Sequence, residues 1–200
     1  MSDSAVVGIL LAAGNSSRFG SDKLLYPMAK AKQTLPIAQL TAQRFRPTCD
    51  IAIAIIKPKT DQTLQSLLRN EGFSIVISPE SINGMGSSIA NGVLVTPNAK
   101  GWIIALADMP FIKTDTYRKV ATTLRDGASI AVPTFEGQQG HPVGFSKKWQ
   151  KQLISLTGDS GARSILTSAV EEISFLPVND SGILRDIDCQ ADLADCFMED

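Results

Sequence analysis

Residues 5–23 read AVVGILLAAGNSSRFGSDK. The run 5–11 has no polar break, so it reads as a strand buried on both faces. The character then changes at once to small residues, Ala12, Ala13 and Gly14, followed by Arg18, Gly20 and Lys23. Working outward, apolar runs of the same kind recur at 51–57, 73–78, 102–107 and 129–133. Between them, 36–45, 61–70, 87–95 and 116–125 carry helical spacing. Strands that alternate with helices predict an α/β fold with a mostly parallel sheet. Thr34 or Leu35 before Pro36 suits a helix start with proline at its first position, and Thr60 before Asp61 suits a cap for the next helix.

Past residue 134 the rhythm changes. Residues 135–140 read as a turn, 141–145 as a strand, 160–170 as a helix, 183–188 as a closing strand and 191–197 as a last helix. No internal repeat, low-complexity tract or Pro/Ser-rich linker divides the chain. The expectation is one domain, 1–200, whose late segments extend the sheet and roof its functional edge.

Composition narrows the function classes. Of 200 residues, 44% are hydrophobic and 20% charged, enough apolar material for a packed core. Lys plus Arg (19) nearly cancels Asp plus Glu (20), which argues against broad electrostatic binding to nucleic acid or to a membrane surface. A single histidine, His141, excludes a multi-histidine metal site, so any metal must sit mainly on oxygen. Three cysteines, Cys49, Cys189 and Cys196, form no CxxC pair and suit free thiols in a reducing cytoplasm. The opening apolar run lacks the basic segment of a signal peptide and is far short of the roughly 20 residues needed to span a bilayer.

In open α/β sheets ligands lie beyond the carboxyl ends of the strands. That rule selects 12–23, 78–88, Asp108, 137–141 and Asp188. In the first loop, Ala12, Ala13 and Gly14 admit close approach to the backbone, and Arg18 and Lys23 add positive charge, a combination suited to phosphates. It contains neither a Gly-x-Gly-x-x-Gly fingerprint nor a P-loop, so it also reads as a solvated loop with two charges. Asp108 in ALADMP follows an apolar strand, and Asp188 in RDID offers a second carboxylate; magnesium takes such a pair together with phosphate oxygens, and a turn or cap aspartate is the plain alternative. Gly86, Ser87 and Ser88 in NGMGSSIANG stand at a helix start able to offer donors to a nucleobase or phosphate, or to be only that. His141 in QQGHPVGF and Asp159 and Arg163 in GDSGARSIL sit beside turn glycines; each has a structural reading as well.

Together these segments resemble the MobA-like nucleotidyltransferases, whose general pattern is LAAG, three residues, Arg, Phe or Met, Gly, two residues, Lys. GMGSSI, LADMPFI, GHPVGF, GDSGAR and DID continue the resemblance over nearly the whole chain, and the set is most similar to the molybdenum cofactor cytidylyltransferases. The resemblance implies an α/β Rossmann-like three-layer sandwich with a mostly parallel sheet, and transfer of CMP from CTP to the phosphate of molybdenum cofactor, with release of pyrophosphate. It implies Mg2+, or Mn2+, as cofactor, and a molybdoenzyme or its maturation chaperone as recipient. Leu11, Ala12, Ala13, Gly14, Arg18 and Lys23, with Gly86, Ser87, Ser88 and Asp108, match nucleotide-binding positions. Lys23, Arg18 and Asp108 match catalytic ones, Asp108 and Asp188 metal ligands, and His141, Asp159 and Arg163 the acceptor side. Ala13 favours CTP, because LAGG goes with the guanylyl branch. MAKAKQ, 28–33, departs from the pattern, since relatives carry a glycine before the next helix.

The chemistry also stands on its own. A phosphate monoester has a second pKa of about 6, so near neutral pH it attacks as a dianion without a protein base. The alternatives are a guanylyl or sugar/polyol nucleotidyltransferase of the same superfamily and a nucleotide-binding regulatory domain. A dehydrogenase is disfavoured by the missing dinucleotide fingerprint.

Overall fold

The computed structural model describes residues 5–14, 19, 22–30, 33–159, 161–189 and 192. Its strands are β1 (Val6–Leu11), β2 (Pro27–Lys30), β3 (Gln33–Pro36), β4 (Ile51–Ile56), β5 (Ser74–Ile77), β6 (Gly101–Leu106), β7 (Ile130–Phe135), β8 (Gln138–Gln139), β9 (Val143–Ser146) and β10 (Ile173–Pro177). Its α-helices are α1 (Ile37–Phe45), α2 (Gln62–Asn70), α3 (Met85–Leu94), α4 (Thr114–Arg125), α5 (Gln150–Ile154) and α6 (Arg163–Ser168). The main sheet has the order β10-β7-β9-β6-β1-β4-β5, with β8 paired to β7. β1 is parallel to both β4 and β6, β4 to β5 and β7 to β10, while β9 runs antiparallel between β6 and β7. This is the mostly parallel α/β sheet expected from the alternation of strands and helices.

Period-two alternation along β1 builds both cores. Val6 and Leu10 pack with Ala38, Phe45, Leu64, Tyr117 and Val120, the α1, α2 and α4 side of the sheet. Val7, Ile9 and Leu11 pack with Ile89, Val93, Leu153 and Ile165, the α3, α5 and α6 side. Three layers result. Gly8 shares the α1 side, where a Cβ would collide with Cys49 Sγ and the Phe45 ring, so only glycine lets α1 lie that close. Cys49 is thereby sealed, and burial pushes its thiol up to about 12.

Local signals hold with small shifts. α1 starts after Pro36, which stands at the cap position, and Asp61 rather than Thr60 caps α2, its carboxylate accepting from Thr63 N at 2.6 Å. The helix expected at 160–170 is shorter, Arg163–Ser168. The strand expected at 183–188 is absent. Ser181–Leu184 is a 3-10 turn capped by Asp180, and the sheet position is taken by β10. Of the MAKAKQ region that departs from the family pattern, the described residues 28–30 and 33 lie on β2 and β3, which pair antiparallel. The helix expected at 191–197 lies, apart from Asp192, outside the described residues, as does Arg18. Among the described residues, no helix is long and apolar enough to cross a membrane.

Candidate active site

Lys23 owes its position to a 3-10 turn, Lys23–Leu25, started by Asp22, whose carboxylate accepts from Leu24 N at 3.2 Å. Leu24 is driven into the α1-side core, which turns the preceding lysine toward the carboxyl edge of the sheet. There Lys23 Nζ donates to Asp108 Oδ2 at 2.8 Å and to Asp188 Oδ1 at 3.3 Å. The lysine side chain is 11% exposed, Asp108 24% and Asp188 52%, so the group opens to solvent on the Asp188 side. Burial pulls the ammonium's pKa down, but the charge of Asp108 and hydrogen bonds to both carboxylates outweigh it, and the net shift is upward. Lys23 is a fixed cation at neutral pH.

Asp108 follows β6 on a loop gripped from α1: Thr41 Oγ1 donates to Ala107 O at 3.0 Å, and Arg44 donates to the carbonyl of Pro110. Asp188 arrives on a strap anchored at its start by Asp180, which is 2% exposed. The Asp180 carboxylate accepts from Lys113 N at 2.8 Å, Thr116 Oγ1 at 2.5 Å and Gly182 N at 3.2 Å. At its far end Ile187 N donates to Asp108 O at 3.0 Å, and the Ile187 side chain packs with Phe19, Met28, Ile37 and Leu40. The strap passes over Gly140, where a Cβ would strike Ile183 O.

A cleft of about 470 Å³ opens above this group. Leu11, Ala12, Ala13 and Gly14 form one wall, Lys23 and Asp108 one end, and Ser81, Gly84, Met85, Ser88 and Asp159 another part of the lining. Seven of the expected nucleotide positions therefore meet Asp159 in one cavity, with Asp188 joined through Lys23. Gly86, Ser87, His141 and Arg163 lie outside the lining. Gly86 serves the packing of α3 instead. Its N–H donates to Gly158 O at 2.8 Å, and a Cβ would stand 2.8 Å from Thr157 O. The donor is therefore committed to the protein and not offered to a ligand. Gly86→Ala should cost about 1–3 kcal/mol by forcing α3 and the 157–159 turn apart, read as a lower urea midpoint.

The MobA-like NTP transferase domain matches residues 8–173. The chain belongs to that family. It is 28% identical over 194 residues to the purine catabolism protein PucB of Bacillus subtilis (strain 168), with 92% of this chain and 91% of that protein covered. To the molybdenum cofactor cytidylyltransferase of Escherichia coli (strain K12) it is 25% identical over 189 residues, covering 94% of each. Rv0371c of Mycobacterium tuberculosis H37Rv shares the fold at a TM-score of 0.84 and 24% identity, over 100% of both chains. Another structure of that protein, in complex with manganese, superposes at a TM-score of 0.71 and 22% identity, over 87% of this chain and 88% of that one.

In this MobA-like domain, among the described residues, no three His, Cys, Asp or Glu side chains are grouped to hold a metal. The two carboxylates that converge on Lys23 fit a hard cation that completes its shell with phosphate oxygens and water. Sequence reasoning missed Asp186. Burial pushes its carboxyl up and the charges of Asp108 and Asp188 add to that, against its own backbone hydrogen bond and Lys23. The signal was present in RDID, since alternate residues of an extended strap share a side. His141 stands beside Gly140 with its backbone N–H on Ile183 O, and its Nδ1 is buried without a partner among the described residues. Burial lowers the imidazole pKa more than the charge of Asp108 raises it, so the ring is neutral at physiological pH.

Proposed function

We propose that this nucleotidyltransferase, a single domain spanning 1–200, transfers CMP from CTP to the terminal phosphate of molybdenum cofactor. The observation that carries the reading is the Lys23 ammonium held between Asp108 and Asp188 at the end of a cleft walled by residues 11–14. A buried cation beside the small residues Ala13 and Gly14 favours a triphosphate. Asp108 and Asp188 would hold Mg2+ or Mn2+, which when bound supplies charge neutralisation on the phosphates. Lys23, joined by Arg18, stabilises charge that builds on the pyrophosphate as it leaves.

The acceptor phosphate, a dianion near neutral pH, forms a P–O bond to the α-phosphorus while the α–β bridging bond breaks, and pyrophosphate carries the electron pair away. No protein base is required, in keeping with a neutral, half-buried His141 as an acceptor-side contact. Arg163, the first residue of α6, would supply positive charge on that side.

Two buried hydroxyls support cytosine. Ser81 Oγ donates to Ser78 O at 2.7 Å and Ser88 Oγ to Gly84 O at 3.4 Å, so what they offer the cleft is acceptor lone pairs. Such a pair suits an amine-bearing base and disfavours the carbonyl of uracil at the same edge. Ala13 and the cytidylyltransferase relative favour CTP over GTP. Pyrophosphate release that requires both CTP and the pterin phosphate tests the reading. Release with neither dependence, or with GTP alone, contradicts it.

A further inference from the structure

One charge in the cleft has no place in the phosphate chemistry. Asp159 lines the cavity, is exposed, and makes no hydrogen bond or ion pair with the described residues. A carboxylate with no cation between, unlike Asp108 and Asp188 in the reading above, repels a triphosphate, so it faces a part of the ligand that is uncharged and rich in donors.

The order of strands places that part. Lys23 and Asp108 follow β1 and β6, whereas Ser81, Gly84 and Met85 follow β5, two strands farther along the same edge. Asp159 belongs to the β5 end. Its Oδ1 occupies the space that a Gly84 side chain would need, and the preceding Gly158 carbonyl accepts Gly86 N. Gly84 takes a φ of 109°, a conformation glycine accepts readily, and this opens room for the carboxylate. A nucleotide with its phosphates at Lys23 therefore brings its nucleoside to Asp159.

Within the nucleoside, exposure separates two roles. Ser81 and Ser88 are 7% and 3% exposed, a desolvated floor suited to the flat edge of a base. Asp159 stands at the open rim, where a half-solvated sugar lies. Its two oxygens match two adjacent hydroxyls as acceptors.

We propose that Asp159 is a specificity-determining residue for the nucleotide, its carboxylate accepting hydrogen bonds from the 2′- and 3′-hydroxyls of the ribose. This reassigns it from the acceptor side and rests on the nucleoside-triphosphate reading above. Equilibrium binding of CTP and of 2′,3′-dideoxyCTP, each with magnesium and without acceptor, tests it on the wild type and on Asp159→Ala. The wild type should bind CTP about 30-fold more tightly than the dideoxy analogue. Asp159→Ala should lose that factor on CTP, leave the analogue unchanged, and melt at the wild-type temperature, because the side chain has no protein partner to lose among the described residues. Equal binding of both ligands by the wild type, or a preference that survives in the variant, would overturn the assignment. If the wild type binds neither CTP nor its dideoxy analogue, the nucleotide site itself is refuted and the role of Asp159 with it. If it binds CTP and the variant keeps the preference, only the role of Asp159 falls.

Discussion

Asp108→Asn should lower kcat/KM by about 10³-fold while the protein keeps its fold. The substitution preserves shape and removes the charge that faces Lys23 and that, under the proposed function, holds the cation on the phosphates. Lys23 keeps Asp188 as a partner, and Asp108 is partly exposed, so the stability change should stay within about 1 kcal/mol. A second signature follows from the lysine. Burial lowers its pKa, and the charge of Asp108 is foremost among the groups that reverse this. Without Asp108 the folded-state pKa falls, so residual activity should decline at a lower alkaline pH than in the wild type. The sign also holds for folding. A lysine raised in the native state stabilises the protein below its unfolded pKa of about 10.4, and that stability is lost as pH rises through the folded value. Turnover retained at saturating magnesium, with an unmoved alkaline limb, would remove Asp108 from the chemistry.

Asp180→Ala should be the most destabilising single change outside the apolar core, by about 3–5 kcal/mol. The carboxylate is 2% exposed and accepts from three donors on two segments. Deleting it leaves Lys113 N–H, the Thr116 hydroxyl and Gly182 N–H without a partner, each at a cost of about 1–3 kcal/mol, partly recovered by relaxation and water. The melting temperature should fall by roughly 6–20 °C for a chain of this length. Asp180→Asn should recover part of the loss, since its carbonyl still accepts. The start of the strap that brings Asp188 to Lys23 would also loosen, so activity measured below the transition should drop. A melting point unchanged in Asp180→Ala would show that the strap is held by packing alone.

Asp180 also shows where the sequence stops being readable. Its donors come from residues 113, 116 and 182, and nothing local in VNDSG announces a buried carboxylate. By contrast β1, β4, β6 and β7 are buried on both faces, and continuous apolar runs reveal such strands. β10 escaped because it is a sheet edge: Phe175 is 42% exposed beside buried Leu176, so ISFLP shows no continuous apolar signal. Residues 183–188 attracted a strand reading from Ile183 and Ile187, which are buried by packing without a ladder. The site was more legible than the fold's edges. Loops at strand ends pointed to residues 11–14, Lys23 and Asp108, and these converge because parallel strands share one carboxyl edge. Asp188 was reached through a strand that does not exist, yet the extended strap delivers it to the same lysine. The structural role of Gly86 was not legible, because its partner Gly158 lies far along the chain.

The most direct measurement is the mass of the pterin product after incubation with magnesium, molybdenum cofactor and each of the four nucleoside triphosphates in turn. With CTP the product should be heavier by one CMP, with one pyrophosphate released per molecule modified, and the other three nucleotides should give little or none. A pterin that carries GMP, or no nucleotide at all under conditions in which the Escherichia coli cytidylyltransferase attaches CMP, would contradict the proposed activity.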